Sequence, residues 1–187
     1  MEDKILIVVD MQVDFINGAL GTKEAEAIVP GVIDFINEFR ASGGEVVYTK
    51  DMHNPNTYLK SREGKHLPVK HCLEGDFGSN IFPAIEMNDE AATRSHKESN
   101  GDYDGVIYPK SSFGSIVLFD DLACVEYSEI HLVGLCTDIC VISNAVLAQT
   151  AVPEAEIYIH KDLCAGTTPE AHERALKCME GLQMNII

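Results

Sequence analysis

Short, β-branched apolar runs recur along the chain at residues 5–9 (ILIVV), 45–49 (EVVYT), 104–108 (DGVIY), 129–134 (EIHLVG) and 156–160 (EIYIH). MNII, at 184–187, makes a candidate sixth. These runs carry little polar alternation, which is the pattern of strands buried on both faces of a parallel sheet. Between several of them the spacing turns helical. VPGVIDFINEFRASGG sets Val32, Ile33, Phe35, Ile36 and Phe39 on one broad stripe, with Pro30 suited to a first turn and Gly43-Gly44 to an end. A second helix is predicted from about Asp138 through CVISNAVLAQTA, and a third from about Thr168 through TPEAHERALKCMEGL. SIVLFDDLAC reads as a shorter helix before the fourth strand.

Strand and helix in alternation predict a doubly wound α/β sheet with right-handed crossovers. The exception is 51–103, rich in Asn, Gly, Pro, Ser and His and weakly periodic. A connection of that length in a compact domain carries function or lacks fixed structure. With 187 residues and no repeat or linker, the chain reads as one domain.

Composition narrows the function classes. Fourteen Lys and Arg face 30 Asp and Glu, a formal charge of −16 that repels phosphate backbones and anionic membrane surfaces. Neither nucleic acid nor membrane is expected as a partner. The apolar runs are too short to cross a bilayer, and MEDKILIVVD lacks the order of a signal peptide, so a cytoplasmic protein is expected. Six cysteines (72, 124, 136, 140, 164 and 178) fall without a CxxC pair, which favours reduced thiols over a disulfide framework or zinc ribbon. No GxGxxG or Walker pattern follows any strand, so no nucleotide cofactor is expected.

In open α/β sheets ligands bind beyond the carboxyl ends of the strands. Strand one ends in Asp10, strand two in Lys50-Asp51-Met52-His53, strand three in Lys110 and strand four in Cys136 to Cys140. Singly, Asp10 could cap a turn, Lys110 could be a solvated lysine and the cysteines could be small core residues. Together they deliver titratable groups to one rim. With Asp138 as N-cap, Cys140 would sit in the first turn of a helix, where free N–H groups favour a thiolate and could receive an oxyanion. A thiolate, an Asp and a Lys at one rim point to acyl transfer. A second cluster, Asp51-x-His53 with Glu63, His66 and His71, suits Zn²⁺, Mn²⁺ or Fe²⁺. His96, His131, His160 and His172 fit surface or helix positions without a role.

Asp10, Lys110 and Cys140, framed by IVVDMQVDF, YPKSSFG and VGLCTDICV, resemble the cysteine hydrolases of the nicotinamidase/isochorismatase-like superfamily over nearly the whole chain. The resemblance implies an α/β fold: a single-domain, six-stranded, mainly parallel sheet flanked by helices on both faces. It implies Cys140 as nucleophile, Asp10 as its acid/base, Lys110 as the cation holding the pair, and the N–H groups of Cys136 and Cys140 as oxyanion hole, with a cis Leu135–Cys136 peptide. It also implies one divalent metal, Zn²⁺ first, on Asp51, His53 and His71, with Glu63 as fourth ligand and His66 in reserve. Phe15, Leu67 and Leu135 would contact substrate, and a homo-oligomer is expected. At Leu67 this chain departs from nicotinamidases, which carry Trp or Phe there. The implied reaction is hydrolysis of nicotinamide to nicotinate and ammonia through a cysteine thioester. A sibling amidohydrolase of another carboxamide, ureide or carbamoyl compound is the alternative, and a non-catalytic binder of the same fold is a third. Vinyl-ether hydrolysis is disfavoured, because true isochorismatases do not use this cysteine.

Overall fold

The computed structural model describes residues 4–89 and 107–187. His96, positions 90–103 of the long connection and the first three residues of the predicted third strand lie outside them. Six strands form one parallel sheet: β1 (Lys4–Val9), β2 (Glu45–Asp51), β3 (Ile107–Lys110), β4 (Glu129–Leu135), β5 (Glu156–Ala165) and β6 (Asn185–Ile186), in the order β3-β2-β1-β4-β5-β6. Alternate residues of β1 enter opposite layers. Leu6 and Val8 pack with one core, Ile5, Ile7 and Val9 with the other.

The first layer is covered by α1 (Val13–Ile16), α2 (Lys23–Ala41) and, beyond α3 (Arg62–His66), α4 (Pro83–Asn88). The second is covered by α5 (Ile116–Leu122), α6 (Ile142–Ala151) and α7 (Pro169–Gly181). Both faces of the sheet are therefore sealed, as the unbroken apolar runs require. Among the described residues no helix is long and apolar enough to cross a membrane.

Three predicted boundaries move. α2 begins at Lys23, so Pro30 lies inside it rather than in its first turn. The reason is local: Thr22 accepts a hydrogen bond from Ala25 N–H at 3.0 Å, and the residues that follow are good helix formers. β5 runs on to Ala165 through a register shift between Leu132 and Gly134 of its neighbour. Asp138 does not cap α6. Thr137–Val141 instead form a π-type turn, and α6 starts at Ile142. Thr168 and Ser115 do cap α7 and α5, accepting from Ala171 and Leu118.

The strand order reverses between β1 and β4, the place where an open α/β sheet leaves a crevice. β1 and β4 approach closely there. Gly134 has φ 114°, and a Cβ on it would overlap the Val9 carbonyl oxygen.

Candidate active site and metal centre

The crevice receives the predicted residues. Asp10 leaves β1 with φ 48°, a left-handed conformation that Asp tolerates better than most residues, and its side chain is fully buried. Thr49 on β2 steadies it: the hydroxyl donates to Asp10 Oδ1 at 2.6 Å. Lys110 reaches across from β3 to bring Nζ 2.7 Å from Asp10 Oδ2 and 3.7 Å from Asp51 Oδ1. The same ammonium donates to the Ser112 carbonyl at 3.0 Å and lies 3.6 Å from Cys140 Sγ. Asp10, Lys110 and Cys140 thus meet within the protein, all three buried.

Burial dominates their protonation. It pushes the Cys140 thiol well up, Asp10's charge adds to that, and Lys110 only partly opposes it. Burial of Sγ beside the Asp10 carboxylate thus favours the neutral thiol at rest, where the sequence expectation was that free N–H groups would favour a thiolate. Burial likewise raises Asp10 against the pull of Lys110, which makes its carboxylate a better proton acceptor. Burial works against the Lys110 charge, but Asp10, Cys140 and Asp51 together outweigh it and keep the ammonium protonated. The Leu135–Cys136 peptide is cis, and all six cysteines are free.

The second cluster assembles because two chain segments zip together. His53 N–H donates to the Cys72 carbonyl at 2.9 Å and Glu74 N–H to the His53 carbonyl at 2.8 Å, bringing His71 beside His53. Ser61 caps α3 by accepting from Gly64 N–H at 3.0 Å, which sets Glu63 in the first turn. Asp51 Oδ2 is 2.9 Å from His53 Nε2, and Glu63 Oε1 is 3.5 Å from both His53 Nε2 and His71 Nε2. One ligand atom from each of the four residues lies within 4.8 Å of the others.

These residues could hold a divalent metal. His53 Nε2 is buried with no well-aligned hydrogen-bond partner. His71 Nδ1–H donates to the Val69 carbonyl at 2.9 Å, so its Nε2 lone pair faces the cluster. Two imidazoles and two carboxylates are also a donor set that zinc accepts. Burial opposes charge on the histidines, but the adjoining Asp51 and Glu63 carboxylates prevail, lifting His53 to about 9 and His71 to about 10. Burial similarly works against the Glu63 carboxylate, whose bonds to both histidines hold it down at about 2. His66 is exposed, bonds the Arg62 carbonyl of its own helix at 2.8 Å, and stands outside the group.

A cavity of about 580 Å³ opens between the two clusters. Phe15, Leu67 and Leu135, the expected substrate contacts, line it together with Cys136, Cys140, Asp51, Glu63 and His71. Sequence reasoning missed several contributors. Phe113 and Arg62 line the cavity. Gln12 donates to the Asp51 carbonyl at 2.8 Å and accepts from Asp51 N–H at 2.7 Å. Asp14 accepts from Cys72 N–H at 2.7 Å. Tyr58 donates to the Leu67 carbonyl at 2.8 Å and packs on both His53 and His71. A signal for two of these was present: Gln12 and Asp14 alternate with apolar residues just after Asp10. Asp138, expected as a cap, accepts instead from Thr167 N–H at 2.8 Å and from its hydroxyl at 2.6 Å. His131 and His160, expected at surface or helix positions, lie on β4 and β5, half-buried and hydrogen-bonded to each other at 2.9 Å.

A parallel sheet with a cysteine, an aspartate and a lysine meeting at its switch point defines an α/β protein equipped for thiol chemistry. Residues 4–101 and 122–187 match the Isochorismatase domain, and the chain belongs to that family. The nicotinamidase/pyrazinamidase of Mycobacterium tuberculosis is 26% identical over 187 residues, covering 98% of each chain. The solved pyrazinamidase of Pyrococcus horikoshii in complex with zinc superposes with a TM-score of 0.77 at 28% identity, covering 99% of this chain and 98% of that one. The nicotinamidase/pyrazinamidase structure from Bacillus subtilis gives a TM-score of 0.80 at 27% identity, with 98% of each chain covered.

Proposed function

We propose that this protein is a zinc-dependent nicotinamidase that forms nicotinate and ammonia through a thioester on Cys140. The broader statement, a hydrolase of amide C–N bonds, follows from the family and its nicotinamidase relatives. The observation that carries the finer reading is Lys110 Nζ held 2.7 Å from Asp10 and 3.6 Å from Cys140 Sγ, with Cys140 lining the same cavity as Asp51, Glu63 and His71 of the four-residue group.

Asp10 takes the Cys140 proton as Sγ attacks the amide carbon. The N–H groups of Cys136 and Cys140 receive the oxyanion. Asp10 then gives the proton to the departing amine, ammonia leaves, and a thioester remains. Water, deprotonated by Asp10, attacks that thioester, releasing the acid and restoring the thiol. Lys110 keeps its charge throughout and tempers the proton affinity that burial confers on Asp10. Asp51, His53, Glu63 and His71 would hold the metal, which when bound supplies a Lewis acid for the ring nitrogen. Phe15 offers one apolar wall to the ring.

One observation favours a second substrate. Leu67 occupies the cavity wall where nicotinamidases place an aromatic ring, so a small carboxamide, ureide or carbamoyl compound that needs no stacking partner would also fit. Ammonia release from nicotinamide by zinc-supplemented protein, beside Cys140→Ala, separates the readings. Turnover lost in the variant supports the proposal. Release from a ureide but not from nicotinamide selects the second substrate, and turnover by Cys140→Ala sinks the thioester.

A further inference from the structure

Asn144 is polar, wholly buried and not used by the mechanism above. It lies one helical turn beyond Cys140, at the i+4 position that shares its face. Its amide Nδ2 donates to the Cys140 carbonyl at 2.8 Å and to the Phe113 carbonyl at 3.1 Å. Its Oδ1 accepts from Ser115 N–H at 3.1 Å. Two donors meet two carbonyls and one acceptor meets one N–H, so the orientation of the amide is fixed by its partners.

Those partners belong to two different parts of the site. Cys140 is on the π-type turn after β4, whereas Phe113 and Ser115 are on the loop that follows Lys110. That loop presents the Ser112 carbonyl to Lys110 Nζ at 3.0 Å and the Phe113 ring to the cavity. The side chain therefore spans the two segments that carry the cation and the thiol.

We propose that Asn144 is a positioning residue that sets the distance between Cys140 and Lys110 by tying the nucleophile turn to the lysine loop. This rests on the reading of Cys140 as nucleophile. Freeing loop and turn from this tie lets the ammonium and the sulfur drift apart without unfolding the sheet. Asn144→Asp tests the donors specifically, because it keeps the shape and the acceptor but turns two donated hydrogen bonds into repulsions between oxygens. Asn144→Ala removes all three bonds and favours the helix.

The experiment follows iodoacetamide alkylation of the full, zinc-supplemented chain across a pH series, with the Cys140 and Cys136 peptides resolved by mass. Cys136 shares the cavity but not the Asn144 bond, so it reports any general loosening. The expected result is a Cys140-to-Cys136 rate ratio at neutral pH lowered by roughly tenfold or more in both variants, the scale of a misplaced reacting group. The Cys140 inflexion should move to higher pH as Lys110 is lost to it. An unchanged ratio and inflexion in either folded variant overturns the proposal. If wild-type Cys140 itself reacts no differently from Cys136, the nucleophile reading fails, and this proposal with it, before any variant is compared.

Discussion

Lys110→Met puts the electrostatics of the site under direct test. The substitution keeps the length of the stem and removes one charge. In the wild type that charge sits 2.7 Å from Asp10 and 3.7 Å from Asp51. At an effective dielectric of about 20, each attraction is worth about 4–6 kcal/mol before desolvation is subtracted. Stranding one partner of a buried pair costs about 3–5 kcal/mol, and that is the expected loss of stability at pH 8.

The loss should shrink in acid, and the sign follows from Asp10. Burial already raises its pKa with Lys110 present, and without the cation it rises further. A carboxyl with a raised folded-state pKa favours folding below its unfolded value and loses that contribution as pH climbs through the folded one. Urea unfolding of wild type and variant at pH 5 and pH 8 gives the comparison: the gap between them should be the larger at pH 8. Alkylation of Cys140 should slow as well, because Asp10 would hold a proton of its own. A gap that is equal at both pH values, or wider at pH 5, would refute this account of the triad.

Three further outcomes are expected. Gln12→Leu leaves the Asp51 backbone without its clamp and should weaken zinc binding by about 10–100-fold in a chelator competition; unchanged affinity would make Gln12 mere packing. Glu63→Gln should lower zinc affinity while His66→Gln leaves it alone, and the reverse order would exchange their assignments. His160 is held at about 4 by burial and then by the neighbouring His131, so the unfolded chain takes up its proton first and stability should fall as pH drops from about 6.5 to about 4. Allowing for solvent screening, His160→Asn should relieve about 1 kcal/mol of that fall, read as the difference in urea midpoints.

The sheet was readable from the sequence because burial on both faces favours apolar residues along most of each strand, so short apolar runs located the strands, though not the full reach of β5 through Lys161 and Asp162. Asp10, Lys110 and Cys140 were readable because strand ends share one rim. The start of α2 was not, since Pro30 looks like a first turn until Thr22 is known to cap a helix seven residues earlier. Asp138 misled for a related reason: a capping residue type carries no record of the competing partner, here Thr167, that takes its carboxylate. Asn144 was hidden in helical spacing, because its three partners belong to three separate positions that only the tertiary fold assembles.

The exit from β1 explains why Asp10 and the Asp51–His53–Glu63–His71 group could act as one site, as the proposed function requires. Asp10, Gln12 and Asp14 stand at alternate positions among Met11, Val13 and Phe15. Asp10 turns toward Lys110, Gln12 grips the Asp51 backbone and the Ser79 carbonyl, and Asp14 holds the N–H of Cys72, the neighbour of His71. A shift of this one segment would move Asp10, Asp51 and His71 together. Such a linkage conserves the spacing between the group that holds a substrate and the group that attacks it, more firmly than two independently anchored loops would. It also accounts for buried polar side chains packed so densely in an otherwise apolar crevice: Asp10, Gln12, Thr49, Asp51, His53 and His71 each have a neighbour to orient or a ligand to face.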